Sequence, residues 1–284
     1  MRRKNRFFRG DRKYLMLIDF HTHVFPEKIA YKTISILEER SNGHAYTDGT
    51  VEGLKKQMLK GGCDIAIALP VVTKPSQFDS ITEFARRINE EFNVNGKGIL
   101  SFGGIHPACE DIKGKMKLLK SLGFKGVKIH PDYQSTFIDD EGYINILKSA
   151  RDLDMIVVTH AGVDDGYLGE PVKCPPERSK KVIEKVGHGK FVLAHYGGHK
   201  QWEDVFDLIA GKDVYIDTAF TLHEISEDLF KKILDKHGED KVLFATDCPW
   251  RDIEEDVATI RSYKLGKEIE DKIFYKNALK LLNI

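Results

Sequence analysis

Eight short apolar runs, rich in β-branched residues, recur along the chain with helix-forming stretches between them. This alternation restricts the folds open to the chain more than any other feature. The runs are LMLIDFHTH (15–23), CDIAIALPV (63–71), GILSFGGIHP (98–107), FKGVKIHPD (124–132), MIVVTHAG (155–162), KFVLAHYGG (190–198), VYIDTAF (214–220) and KVLFATDCPW (241–250). Near-continuous apolar strands imply a parallel sheet covered on both faces, since no solvated face is left to carry polar residues. The segments between them read as helices near 50–60, 77–93, 110–121, 141–152, 177–187, 200–210, 224–236 and 252–262, and EIEDKIFYKNALKLL closes the chain with another. Eight such units without a glycine-rich phosphate loop predict an α/β fold, a (β/α)8 TIM barrel, rather than a doubly wound sheet.

The length of 284 residues suits one barrel domain over 15–284, with no linker and no repeat beyond the β/α unit. Residues 25–49 form an insertion after the first strand, with a helix near 27–40, and an insertion there overlies the mouth of a barrel as a lid. Residues 1–14 are basic but precede no long apolar segment. They read as an N-terminal extension, not a secretory signal, and no later stretch is long enough to span a bilayer. Lys and Arg together number 44 and Asp and Glu together number 44, a formal net charge of zero. That balance argues against nucleic acid or an anionic membrane surface as partner. The expected partner is a small-molecule substrate, with a homodimer left open. Cys63, Cys109, Cys174 and Cys248 form no C-x-x-C pair, so neither a disulfide framework nor a zinc finger is expected, and a reducing cytoplasm is the simplest location.

The chemistry gathers at the ends of the strands. The first run ends in His21 and His23, the fourth carries Lys128 and His130, the fifth ends in His160, the sixth in His195 and the eighth in Asp247. In a barrel these carboxyl ends converge on one mouth, where active sites sit. Strand alternation puts Asp19, His21 and His23 on one side, Gly126, Lys128 and His130 on another strand's inward face, Leu193 with His195, and Leu243 and Ala245 with Asp247. Small residues such as Gly126 and Ala245 would leave room inside the barrel. A single histidine in such a place is more often a satisfied core or loop-capping residue; seven polar residues aimed at one spot point to a metal ion.

The set of His-x-His on strand 1, His on strands 5 and 6 and Asp on strand 8 resembles the amidohydrolase superfamily of metal-dependent hydrolases. IDFHTHVFP, GFKGVKIHPDYQ, VYIDTA, LFATDCPW and the closing FYKNALKLL are similar to the amidohydrolase-related branch, which also contains aminocarboxymuconate-semialdehyde and hydroxybenzoate-type decarboxylases. The resemblance implies that His21, His23, His160 and Asp247 bind one divalent metal, most simply Zn2+, with Mn2+ as the other candidate, and that Asp247 also accepts a proton from metal-activated water. His195 would be a catalytic acid/base, or a ligand of a second ion. Lys128 would bridge two ions if carbamylated; otherwise it pairs with a carboxylate such as Asp19 or with substrate, and one ion is the favoured number. His106, His130, Tyr133, Gln134, Trp250 and Arg251 follow strand ends and either contact substrate or order loops. Asp217 and Thr218 are placed to orient a ligand histidine, and Cys248 reads as a packing residue.

The leading expectation is a metal-dependent hydrolase acting on an amide, ester or lactone carbonyl of a small molecule. The alternative is a metal-dependent non-oxidative decarboxylase of an aromatic or unsaturated carboxylic acid. A non-catalytic ligand-binding barrel is the third reading, which the complete ligand set argues against.

Overall fold

A computed structural model describes residues 16–94, 97–187 and 189–284. The N-terminal extension expected over 1–14 lies outside the described residues. Eight parallel strands follow one another round a barrel: Ile18–Thr22, Ile65–Ala68, Lys97–Ser101 continued by Gly103–Gly104, Gly126–Ile129, Ile156–Thr159, Phe191–Leu193, Tyr215–Asp217 and Val242–Leu243. We number them strands 1 to 8. Strand 3 is interrupted at Phe102, its first half pairing with strand 2 and its second half with strand 4. The Phe102 amide, bonded to the Ala68 carbonyl at 2.9 Å, carries the ladder across that break. The ring closes between strands 8 and 1, where the Phe20 amide donates to the Phe244 carbonyl at 2.9 Å and Thr22 bridges Cys248 in parallel. A two-residue strand, Asn93–Val94, adds antiparallel to the start of strand 3.

Helices between the strands occupy the predicted places, among them Val51–Gly61, Phe78–Phe92, Glu141–Asp152, Glu227–His237 and Ile253–Ser262. The reason is local: apolar residues recur at helical spacing, and Thr50, Asp140, Ser226 and Asp252 each cap a first turn by accepting a backbone N–H. The expected helix after strand 1 is Glu27–Ser41. The predicted closing helix is instead Lys267–Asp271, a π turn over Lys272–Lys276, and Asn277–Leu282. The Asn277 side-chain amide donates to the carbonyls of Glu239 and Val242, tying this segment to strand 8. Ala278, Leu281 and Leu282 thereby join the barrel interior. No described helix is long and apolar enough to cross a membrane.

Two apolar layers follow. Ile18, Phe20, Ile65, Ile67, Phe102, Val158, Val192 and Leu243 fill the barrel, while Val127, Ile129, Val157, Leu193 and Ile216 pack outward against the helices. Two alternation arguments and one about space need correction. Asp19 does not share a face with His21 and His23. Phe20 faces the interior, so strict alternation would send His21 outward, but Asp19 stands opposite Ala66 and Thr22 opposite Ala68. Strand 1 therefore spends three steps where strand 2 spends two, and such a bulge re-aims the side chains beyond it. Leu193 packs in the outer layer, and His195 reaches the mouth because the backbone turns left-handed at His195, φ 58°. Gly126 leaves no free room: a Cβ there would lie 2.6 Å from the Phe102 ring and from the Ile156 carbonyl, so its space is already filled.

Asp19 instead clasps strand 8. It is fully buried, accepting from the amides of His21 and Thr246 at 3.2 and 3.0 Å and from the Thr246 hydroxyl at 2.6 Å. Asp19→Ala strands these donors and should cost about 1–3 kcal/mol in urea denaturation; a smaller loss would show that water replaces the carboxyl. Burial pushes the Asp19 carboxyl up to about 7. The folded chain thus favours its protonated form, and the stability it contributes is complete below about pH 4 and lost as pH rises through 7. Asp19→Asn should flatten that part of the pH–stability curve.

Candidate metal centre

Strand 1 and the end of strand 8 bring three donors together. The Nε2 atoms of His21 and His23 are 3.1 Å apart, and Asp247 Oδ1 lies 3.3 Å from the first and 3.1 Å from the second. The far nitrogens decide where the protons are. His23 Nδ1 is 2.9 Å from the Leu69 carbonyl, which only accepts, so the proton sits on Nδ1. His21 Nδ1 is 3.0 Å from Asp217 Oδ2 and donates to it in the same way. Both Nε2 atoms therefore turn lone pairs toward each other and toward a carboxylate. Three acceptors crowded within 3.3 Å need a cation between them. Lys128 Nζ, 3.0 Å from His21 Nε2, is a cation that touches the first of them.

Asp217 holds more than one element. Its Oδ2 orients His21, as expected, while Oδ1 accepts from the amides of His195 and Ala219. Thr218 has a different role, its hydroxyl donating to the Ala245 carbonyl. His195 Nδ1 donates to the Ala219 carbonyl at 2.9 Å, leaving Nε2 to face His160 Nδ1 at 2.9 Å. The His160 ring stacks on His130 at 4.4 Å, and His130 on Tyr133 at 3.9 Å. His160 is thus one ring removed from the triad, on the far side of His195. Its Nε2 is buried without a hydrogen-bond partner, 3.9 Å from Asp132 Oδ2, which is buried and unpartnered too.

Burial governs the charges. It pulls His21, His130 and His160 well below the usual histidine range and His195 down to about 4, so these rings are neutral at pH 7. It pulls Lys128 down to about 8 and pushes Asp217 and Asp164 up to about 6 and Asp132 up to about 7. Burial pushes on Asp247 as well, and it is charge on His21 and His23 that would hold this carboxyl well below its ordinary value; beside neutral rings that part falls to a bound cation. Two of the site residues bend the backbone: Asp247 has φ 69° and His195 φ 58°. Such a left-handed conformation costs energy in a non-glycine residue and is retained where the surroundings enforce it.

A cavity of about 850 Å³ opens over these groups. His21, His23, Lys128, His130, Tyr133, His160, His195, Asp247 and Trp250 all line it. So does the Glu27–Ser41 helix, through Ile29, Thr33, Leu37 and Arg40, which places the insertion over the mouth. His106 and Arg251 do not line it. His106 Nδ1 accepts the Ala108 amide and orders its own loop; Arg251 is held by Asp256 at 2.9 Å. Gln134 is a loop fastener, donating to the carbonyls of Val72 and Ile105 and accepting from Tyr143. Cys248 is buried, and burial pushes its thiol well above the ordinary range, which removes it as a nucleophile. Sequence reasoning missed Asp132, Asp164, Asp165, His199 and Arg40. The first four lie within five residues of a strand-end histidine, in IHPD, HAGVDD and HYGGH, a proximity that was there to be read.

A family model described as Amidohydrolase matches residues 18–284. The chain belongs to the amidohydrolase family. It is accordingly a metal-dependent enzyme, for which hydrolase and carboxy-lyase chemistry are both on offer. No curated protein matches this amidohydrolase. Among solved structures, an uncharacterised TIM-barrel protein from Bordetella bronchiseptica superposes with TM-score 0.74 at 15% identity, over 95% of this chain and 99% of that one. A 5-carboxyvanillate decarboxylase from Novosphingobium aromaticivorans, complexed with manganese and 4-hydroxy-3-methoxy-5-nitrobenzoic acid, gives 0.68 at 13% identity over 95% and 96%. A dihydroxybenzoic acid decarboxylase from a Polaromonas species, with bound manganese and the inhibitor 2-nitroresorcinol, gives 0.67 at 14% identity over 94% and 97%. At such identities the likeness establishes the barrel.

The Asp217 contact sets the tautomer of His21. Asp217→Ala should weaken binding of a divalent ion about 10–100-fold in calorimetry, as loss of a carboxylate behind a ligand histidine does. Unchanged affinity would show that the ring is oriented by something else.

Proposed function

We propose that this amidohydrolase is a metal-dependent, non-oxidative decarboxylase of a hydroxylated aromatic carboxylic acid. The metal reading rests on one observation: the three acceptors of His21, His23 and Asp247 lie within 3.3 Å of one another, with the Lys128 ammonium against the first of them. His21, His23, Asp247 and His160 are the proposed ligands. His160 is proposed from its place at the end of strand 5; in this structure its Nδ1 donates to His195 Nε2 at 2.9 Å, which leaves the lone pair on the buried, unpartnered Nε2. Zn2+ and Mn2+ both suit imidazole with carboxylate, and manganese is the ion named in two of the solved decarboxylases. We assign one ion to this centre, with Lys128 as an ammonium donor rather than a carbamylated bridge. When bound, the ion supplies positive charge that grips substrate oxygens and draws electron density from the bond to be broken.

The rest falls to side chains. Tyr133, Tyr167, Phe25 and Trp250 give the cavity aromatic walls suited to a flat ring. His130 and Tyr133, stacked on each other, and Trp250 are the proposed substrate contacts. Asp247, ionised, takes the proton of a ring hydroxyl. His195, neutral and locked by Ala219, offers Nε2 as an acceptor and is not a proton donor at pH 7. Decarboxylation breaks the ring-to-carboxyl bond, leaves its electron pair on the ring carbon and needs a proton there as CO2 departs. Asp164 lines the cavity 3.4 Å from His130 Nε2 and, pushed up to about 6, still carries a proton in mildly acidic solution. The decarboxylases among the structural relatives favour this reading over hydrolysis, reversing the order of the two expectations.

The deciding experiment is a product assay on metal-loaded enzyme against a panel of hydroxybenzoates and, in parallel, of lactones and amides. CO2 release from the first panel is the expected outcome; hydrolysis of the second with no CO2 from the first overturns the proposal. A donor works in its protonated form, so kcat/KM should fall as pH rises through about 6, and Asp164→Asn should remove that limb. Asp247→Asn should lose about 10²–10⁴-fold in turnover even at full metal content; near wild-type turnover would exclude its proton-accepting role.

A further inference from the structure

A second cluster of donors stands on the wall of the same cavity, built from the loops after strands 5, 6 and 7. Asp165, His199 and Glu224 belong to it, and nothing in the proposed reaction uses them. His199 Nε2 is 3.6 Å from Asp165 Oδ2 and 3.9 Å from Glu224 Oε2. These separations are too long for hydrogen bonds. The first is the edge of a tetrahedral shell whose bonds are each about 2.0–2.2 Å, and the second exceeds such an edge by a few tenths of an ångström, which the Glu224 side chain would close on binding.

The histidine itself is the independent sign. His199 is only 3% exposed, and neither of its ring nitrogens has a hydrogen-bond partner among the described residues. A buried imidazole with both nitrogens unsatisfied is costly, and Nε2 is aimed between two carboxylates. Its position is enforced by the backbone: the His199 amide donates to the Ala161 carbonyl at 2.9 Å, and a Cβ on Gly162 would lie 2.1 Å from the His199 nitrogen. Only a glycine admits this approach.

The neighbouring cations do not fill the place. Lys200 Nζ pairs with both Asp165 oxygens, at 2.7 and 2.9 Å, so an ion would share Oδ2 with it, but it is 3.7 Å from Glu224 Oε1, and His223 Nε2 is 3.5 Å from that same oxygen. Glu224 therefore turns Oε2, its other oxygen, toward His199. Two carboxylates against one ammonium leave a net negative charge.

We propose that Asp165, His199 and Glu224 bind a second divalent transition-metal ion, separate from the centre formed by His21, His23 and Asp247. One imidazole with two carboxylates suits Mn2+ or Zn2+. The site lies within reach of a bound substrate, since the rings of His199 and His195 are 5.9 Å apart. An ion there would grip an anionic substituent away from the reacting carbon.

The test is a count of bound Mn2+ per chain, by equilibrium dialysis and elemental analysis of metal-stripped, reloaded protein. Wild type should take two ions. Glu224→Gln, a change at the partly exposed rim, and His199→Asn should each take one. His21→Ala should also take one, and His21→Ala with Glu224→Gln none. Lys200→Gln, which removes the ammonium competing for Asp165, should bind the second ion more tightly. A single ion in the wild type, or two ions retained by Glu224→Gln, overturns the proposal. So does loss of the second ion in Lys128→Ala with its retention in His199→Asn, which would place both ions in the first centre. Loss of the first ion alone in His21→Ala leaves this inference standing whatever the reaction proves to be.

Discussion

One extra residue in strand 1 makes the site. Between Asp19 and Thr22 the strand takes three steps against two in its neighbour, and everything beyond that bulge faces the other way. Phe20 fills the barrel and Asp19 is sent outward, yet His21 and His23 arrive at the mouth with both Nε2 atoms converging. The carboxyl sent outward is then put to use. It gathers the amide and hydroxyl of Thr246, and so ties strand 8 to strand 1 one residue before Asp247. The Asp247 amide in turn donates to the His21 carbonyl at 2.8 Å. Closure of the barrel and assembly of the donor triad are therefore the same set of contacts. A bulge next to an active site is a device for re-aiming side chains without moving the rest of the sheet.

A second tie works from the opposite side. Asp217 ends strand 7, and its two oxygens reach strand 1 through His21 and the turn after strand 6 through the His195 amide. One carboxylate thus fixes the tautomer of one histidine and the backbone of another. Left-handed residues cluster at the mouth, including His195, Tyr196, Lys200, Phe220 and Asp247. The strands end abruptly there, and the chain must turn within one or two residues to bring side chains over the barrel axis. Backbone strain of this kind persists only where packing and hydrogen bonds over-determine it.

The architecture was legible because the barrel is written in repetition: eight apolar runs and eight amphipathic stretches survive any local error of boundary. The donors His21, His23 and Asp247 were legible because they sit at the ends of those runs. The path by which they converge was not. Alternation with a period of two is the only geometric rule a sequence offers for a strand, and it fails where a bulge or a left-handed turn intervenes, as at Asp19 and at His195. Arg251 looked like a substrate contact because it follows strand 8, but Asp256, five residues on, captures it. The closeness of Asp164 and Asp165 to His160 in HAGVDD was a legible signal; what the sequence withheld is that their loop folds back across His130 and His199.

The electrostatics of the mouth explain how so many ionisable groups share one small volume. Where a partner charge is absent, burial makes the histidines neutral and leaves protons on Asp132 and Asp164 near pH 6–7. Asp247 is driven the other way where His21 and His23 carry charge, as Asp165 is by His199 and Lys200. The site is therefore divided: an ionised corner that can hold a cation, and beside it a pair of carboxyls that can give up protons. Such a separation of neighbouring carboxyls by environment is how a single pocket assigns ligand and acid to residues of the same type. The helix after strand 1 adds a cation to this side. Arg40, carried on the helix after strand 1, lies over the Tyr167 ring at 4.0 Å on the acidic side of the mouth. The helix thereby shields that side of the mouth, and charge effects are stronger wherever solvent is kept from them.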